Sequence, residues 1–253
     1  MKKIVITGAL GYIGTELCKL YSGFSWKYDV VAIDNRFISE RVNELKRRKI
    51  KFVQADICNL DEIKIYVKEA QVVHHLAGIT DVAYVKKDVN PDQDEKIKKV
   101  AIKGTENVLK SMNDKATIVF PSTHVVFEGL KKPKTNLDEN EDTSTFLAYS
   151  SSKVVNENQI INSGKKYAIF RLGSVYGFST DTMRINIMPN LFSKIASQNG
   201  TIKLFGGGVQ FKSLVPLIDV ARCFKFVEEN KKFNSGIYNL TKENTTVKEV
   251  ALI

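Results

Sequence analysis

The chain has 253 residues, 43 % of them hydrophobic, with both charge signs abundant, enough to bury a full core as one large domain or as a domain and an annex. No apolar run approaches the ~18–20 residues of a membrane helix, and the run after Lys2 and Lys3 is too short and too broken by Gly8 and Gly11 for a signal peptide. The net charge of +10 opens a nucleic-acid reading, but the lysines are spread along amphipathic segments without an aromatic ladder or a helix-turn-helix pattern, so solvated helix faces are the simpler reading and attraction of an anionic nucleotide fits equally well.

From the N-terminus, short β-branched runs alternate with helical stretches. Residues 2–9 read as a strand and 14–22 as a helix, followed by strand 28–35, helix 39–49, strand 50–57 and helix 60–70. Strand 71–78, a long helix over 94–112, strand 116–123, a helix through 151–164 and strand 166–177 complete the series. The polar stretch 128–148 has no period and reads as a surface loop. This order predicts an α/β fold, a Rossmann-type doubly wound parallel sheet with helices on both faces.

After residue 178 the alternation breaks. Residues 186–197 look helical, 201–208 strand-like, 213–229 a short strand and then a helix, and 236–244 a strand running into a turn. The predicted division is a dinucleotide-binding domain over 1–177, with 209–235 returning to it. Residues 178–208 and 236–253 then form a small C-terminal substrate-binding annex. The last helical pattern, 246–253, stops in mid-course, so the annex is either short or truncated at its C-terminus.

Three features carry chemistry. Gly8, Gly11 and Gly14 follow the first strand and open a helix through Tyr12 and Ile13, a spacing that suits a tight turn, close approach of a pyrophosphate and close helix–strand packing. Asp34, ending the second strand beside Asn35, can accept hydrogen bonds from both ribose hydroxyls and repel a 2′-phosphate, which favours NAD over NADP; Arg36 nearby partly offsets that preference. Finally, Tyr149 and Lys153 are spaced to share one helix face. A lysine ammonium there favours the phenolate, and bringing a phenol down by ~3 pH units needs roughly 4 kcal/mol, which a lysine and a cationic cofactor together could supply. The same spacing in Tyr238 and Lys242 falls on a strand and turn, and Gly206, Gly207 and Gly208 read as an ordinary turn. Cys18, Cys58 and Cys223 lack metal-type spacing and fit a reduced, cytoplasmic home, and His74, His75 and His124 do not suggest a metal cluster, so no metal is expected.

With these placed, the chain resembles the extended short-chain dehydrogenase/reductase family. Within it, the chain is similar to the NAD-dependent nucleotide-sugar epimerases and dehydratases of the UDP-galactose 4-epimerase type. "GALGYIG" matches the family phosphate loop, "QADI" the segment whose Asp contacts adenine (Asp56, with Ile57), and "VVHHLAG" the strand end along the cofactor (Leu76, Ala77 and Gly78). "FPSTHVVFEG" resembles the strand carrying the catalytic Ser/Thr, here Thr123, and "FRLGSVYG" and "SLVPLIDVA" match later landmarks. The resemblance implies that Thr123, Tyr149 and Lys153 are catalytic and that Tyr149 and Lys153 also touch NAD. On the substrate side it points to Thr80, Thr123, His124, Ser174, Asn186 and Lys212.

Departures qualify this. Ala101 replaces a usual Asn in the helix ahead of Gly104-Thr105, Ser174 stands for an Asn, and Lys212 for an Arg that would bind phosphate bidentately. The bland alternatives are a core hydroxyl for Ser174, a helix cap for Asn186, a loop cation for Lys212 and a structural role for His124. His124-Val125 occupies the place of the acid pair that dehydratases use, which argues against dehydration. The implied activity is epimerisation of a nucleotide sugar, a UDP-sugar favoured, at C4 through a transient keto-sugar. A net NAD(P)-dependent oxidoreductase of a keto-sugar or small carbonyl compound stays open, as does a non-catalytic NAD- or RNA-binding protein. Apolar positions over 100–109 and 154–161 either form a homodimer interface, as in many relatives, or cover the sheet.

Overall fold

The computed structural model describes residues 1–80, 90–131, 134–230 and 232–253; of the loop expected at 128–148, residues 132–133 lie outside the described ones. In the first half, β1 (Lys2–Thr7), α1 (Tyr12–Ser22), β2 (Tyr28–Asp34), α2 (Ser39–Arg47), β3 (Lys51–Gln54), α3 (Leu60–Val67), β4 (Val72–His75) and α4 (Pro91–Ser111) follow one another. Then come β5 (Thr117–Thr123), a 3-10 turn at His124–Phe127, α5 (Ala148–Ile161) and β6 (Lys166–Leu172). The remainder is β7 (Ser174–Tyr176), α6 (Met188–Ser197), β8 (Phe211–Pro216), α7 (Leu217–Glu229), β9 (Gly236–Leu240), β10 (Glu243–Thr246) and α8 (Val247–Ala251).

Seven strands pair in the order β3-β2-β1-β4-β5-β6-β9, all parallel. Parallel strands must be covered on both faces, and β1 shows how the sequence meets that need: Ile4 and Ile6 enter one core and Val5 the other. The first core packs against α1, α2 and α7 through residues such as Leu17, Val42 and Phe224; the second packs against α3, α4 and α5 through Ile63, Val108 and Ile160. The chain runs outward from β1 to β3 and then returns to β4 on the other side of β1. The strand order therefore reverses between β1 and β4, which is where doubly wound sheets form their ligand crevice, at the carboxyl ends of the strands.

A second sheet, β10-β8-β7, lies in the C-terminal part. Residues 236–240, expected in the annex, instead extend the main sheet as β9, with Ala168 opposite Gly236 and Leu172 opposite Leu240. Their side chains explain the placement: Ile237 packs on one core, Tyr238 and Leu240 on the other. The expected return of 209–235 is divided. Helix α7 packs on α1, whereas β8 pairs with β7 and β10 in the small sheet. The strand expected over 201–208 does not form. Its glycine end is a 3-10 turn, with φ of 57°, 73° and 72° at Gly206, Gly207 and Gly208, left-handed values incompatible with an extended run.

Candidate active site

The glycine loop is shaped by close approach. Gly8 has φ 66°, and a Cβ there would lie 2.7 Å from the Ala77 backbone nitrogen, so only glycine lets β1 and β4 converge. A Cβ on Gly14 would run into the Gly8 carbonyl and lie 2.8 Å from Ala9 Cα, which is why α1 can start directly under the turn. Gly11 is the N-cap of α1 and no side chain caps it, so the first N–H groups, beginning at Tyr12 and Ile13, face the crevice mouth with the positive end of the helix dipole. This arrangement fits a pyrophosphate.

The facing strand end is tied down from below. Ala77 donates its backbone N–H to the Thr7 hydroxyl at 3.2 Å; that hydroxyl meets His75 Nδ1 at 2.9 Å, and His75 Nε2 meets the Thr105 hydroxyl at 3.0 Å. Leu76 and Ala77 are half-buried and Gly78 is exposed at the predicted cofactor edge. Burial pushes both His74 and His75 down to about 3, so these rings are neutral at physiological pH.

At the ribose end, buried Asp34 accepts the Leu10 backbone N–H at 3.0 Å, joining β2 to the glycine loop. Arg36, expected to offset part of the preference for NAD, folds back onto the same carboxylate, its Nε donating to Asp34 Oδ1 at 3.0 Å. Asn35 is exposed and its carbonyl accepts from Gln54. Asp56 closes a turn by accepting the Cys58 backbone N–H at 2.8 Å, while the Ile57 side chain is buried in the core.

Thr123, Tyr149 and Lys153 do come together. Helix α5 begins at Ala148, so Tyr149 and Lys153 lie one turn apart on its first two turns, and Thr123 ends β5 beneath them. The Thr123 side chain lies close enough to the Tyr149 phenol to lower its pKa, while its hydroxyl accepts the Val125 backbone N–H at 3.2 Å. Lys153 Nζ donates to the Pro121 carbonyl at 2.7 Å, 4.4 Å above the Phe120 ring and 5.8 Å from the Tyr149 ring centre. Burial pushes the Lys153 ammonium down to about 8, with the Glu157 carboxylate opposing it. Burial likewise raises the Tyr149 phenol; the Arg184 guanidinium and the Thr123 side chain pull it back. The lysine alone therefore does not deliver the lowered phenol that the spacing suggests, because its ammonium is turned to a backbone carbonyl.

On the annex side, His124 Nδ1 donates to the Leu172 carbonyl at 2.8 Å, and Lys212, exposed on β8, is close enough to depress that imidazole further beyond the effect of burial. Ser174 begins β7 opposite Leu214, Asn186 is exposed just ahead of α6, and the Thr80 carbonyl accepts from Arg184 at 3.4 Å. Several residues here escaped the sequence reading. Arg41 donates from Nε to the Asp181 carboxylate at 2.8 Å and from Nη1 to the Leu10 carbonyl at 2.7 Å, clasping the segment after β7 to the glycine loop. Thr15 meets Thr182 at 3.1 Å, and the Tyr12 hydroxyl donates to the Gly177 carbonyl. Buried Asn190 accepts the Gly177 N–H at 3.0 Å and donates to the Arg184 carbonyl at 3.0 Å. Nothing local marks Arg41, Arg184 or Asn190. Glu157 could have been found, since it continues the Tyr149–Lys153 face by one further turn.

A family model described as the NAD dependent epimerase/dehydratase family matches residues 4–241. A Methanocaldococcus jannaschii protein named "Putative UDP-glucose 4-epimerase" is 32 % identical over 228 residues, 87 % of this chain and 71 % of that protein. The NAD complex of Thermus thermophilus UDP-glucose 4-epimerase is similar in structure, with TM-score 0.78 and 21 % identity over 99 % of this chain and 81 % of that one. So is Bacillus cereus UDP-glucuronic acid 4-epimerase with UDP-glucuronic acid and NAD, with TM-score 0.79 and 24 % identity over 97 % and 80 %.

Proposed function

The chain belongs to the NAD-dependent epimerase/dehydratase family, and on that premise we propose that it inverts C4 of a nucleotide sugar, with a UDP-sugar as substrate. The observation that carries this reading is the meeting of Thr123, Tyr149 and Lys153 at the carboxyl end of β5, beside a glycine loop shaped for a pyrophosphate. The names of the M. jannaschii relative and of the similar structures support the UDP-sugar. Among the described residues no helix is long and apolar enough to cross a membrane.

Gly8, Gly11, Tyr12, Ile13 and Gly14 would hold the NAD pyrophosphate, Asp34 and Asn35 the adenosine ribose, Asp56 and the backbone of Ile57 the adenine edge, and Leu76, Ala77 and Gly78 the inner length of the cofactor. Bound NAD supplies a reversible hydride acceptor. Tyr149 takes the proton of the sugar hydroxyl as oxidation proceeds and returns it on reduction, Thr123 holds the same oxygen, and Lys153 would hold the nicotinamide ribose. Arg184 adds a second cation next to Tyr149, which lowers the cost of the phenolate. Thr80, His124, Ser174, Asn186 and Lys212 form the substrate wall, with Lys212 as the diphosphate cation. A cytoplasmic setting accords with the three free thiols, and a homodimer through α4 and α5 would cover Val155 and Ile161, both exposed on α5.

The test is a panel of UDP-, GDP- and dTDP-sugars with trace NAD, following stereochemistry by NMR and NADH by absorbance. The expected result is a C4 epimer without net NADH. Tyr149→Phe should lower kcat roughly 10³-fold with the protein still folded. Net NADH without an epimer would replace this reading with the oxidoreductase.

A further inference from the structure

Glu157 lies one turn beyond Lys153 on the α5 face that carries Tyr149. It is buried and its carboxylate is fully engaged. Oε1 accepts from the Ser122 hydroxyl and from Arg171 Nε at 3.2 Å, and Oε2 accepts from Arg171 Nη2 at 2.8 Å. Arg171 is buried too, lies 5.3 Å over the Phe127 ring and donates from Nη1 to the Glu139 carbonyl at 3.2 Å. A buried ion pair is a weak device for stability, because desolvation consumes most of its attraction. Its location is more telling. The α5 face is hydrogen-bonded to β5 at two successive turns, Lys153 to the Pro121 carbonyl and Glu157 to Ser122, and one turn earlier Tyr149 stands beside Thr123.

We infer that Glu157 is a positioning residue: clamped by Arg171, it holds the end of β5 against α5 through Ser122 and keeps a negative charge one turn below the Lys153 ammonium. This rests on the reading of Tyr149 and Lys153 as the catalytic pair. The groups that meet Lys153 are Tyr149 and Glu157 on α5, the Phe120 ring and Pro121 carbonyl on β5, and His75 on β4, which stays neutral. Arg171, from β6, reaches the carboxylate. With burial driving Lys153 down to about 8, Glu157 is the charge that opposes deprotonation. Without that charge the ammonium is lost at lower pH, and the alkaline limb of turnover follows it.

Nitrogen NMR of 15N-lysine protein, with Lys153→Arg assigning the resonance, reads this titration without substrate and decides the role of the Glu157 charge. In Glu157→Gln the midpoint should fall by about one pH unit from the native value. Because that variant strands Arg171, Glu157→Gln is also combined with Arg171→Met, which removes the pair without leaving a buried charge; the midpoint should still lie below the native value, by less than in Glu157→Gln alone because a cation leaves with the anion. An unmoved midpoint in a folded variant overturns the inference. Ser122→Ala, assayed with whichever sugar nucleotide of the panel turns over, should lower kcat roughly tenfold with KM within about twofold, and Ser122→Thr should restore it; an unchanged kcat overturns the Ser122 link. If Tyr149→Phe keeps its turnover, the catalytic reading itself fails. If it loses turnover while these variants match the native protein, only the role of Glu157 fails.

Discussion

On the β4–β5–α5 side of the crevice, His75, Glu157 and Arg171 are at most 5 % exposed; His75 is held between the Thr7 and Thr105 hydroxyls, and Glu157 accepts from Arg171. On the annex side, Phe178, Phe205 and Phe211 stand 80 %, 86 % and 74 % exposed, and α6 buries a single residue, Asn190. Buried polar groups are costly to leave unpaired, and in the first wall His74 Nδ1 is the one buried side-chain polar atom without a partner among the described residues. In the second, β8 reaches the core through Val215, while the segment after β7 is tied by polar contacts, Arg41 to Asp181, Thr15 to Thr182 and Tyr12 to Gly177, which water can replace. Geometry for proton transfer therefore resides in the first wall, and the freedom to admit and release ligands in the second.

Acid should break the first wall most severely. His74 and His75 have folded pKa values of about 3, against 6.5 for the unfolded ring, so the stability from keeping them neutral is whole above pH 6.5 and is lost as pH falls toward 3. The full loss is up to roughly 4–5 kcal/mol per ring. Urea unfolding at pH 7 and 4.5 should show a drop of several kcal/mol; equal stability at both would mean that the rings are hydrated. Next in size, Arg171→Leu alone leaves the Glu157 carboxylate buried without its cation, and urea midpoints should report a loss of about 3–5 kcal/mol. A loss near zero would mean that water already reaches the pair.

The second wall should yield to smaller changes with a different readout. Arg41→Ala removes the clasp between Leu10 and Asp181 and should cost about 1–2 kcal/mol of stability. The same change should speed NAD dissociation, followed by stopped-flow fluorescence, roughly tenfold, which is about 1.4 kcal/mol. An unaltered off-rate would make the clasp structural only. The smallest effect belongs to Phe211→Ser on the exposed edge of β8, expected within about 0.5 kcal/mol of the native protein by thermal unfolding. A larger loss would mean that Phe211 is covered in solution.

Local pattern carried much of this protein. Alternating β-branched and amphipathic runs led to the parallel sheet, since a strand covered on both faces must be apolar throughout. Gly8, Gly11 and Gly14 led to the loop, because few other residues permit such close backbone approach. The spacing of Tyr149 and Lys153 led to their shared helix face, because 3.6 residues per turn leave little choice. Only the tertiary structure decided the rest. Residues 236–240 joined the main sheet because Ile237, Tyr238 and Leu240 found cores on both sides of it, which their own short run could not reveal. Arg41 meets Asp181 across 140 positions, and Tyr12 meets Gly177 across 165. The state of Tyr149 depended in the same way on depth of burial and on Arg184 from a distant segment. Secondary structure and close backbone turns answer to neighbours in sequence, whereas solvation and charge at a site answer to neighbours in space.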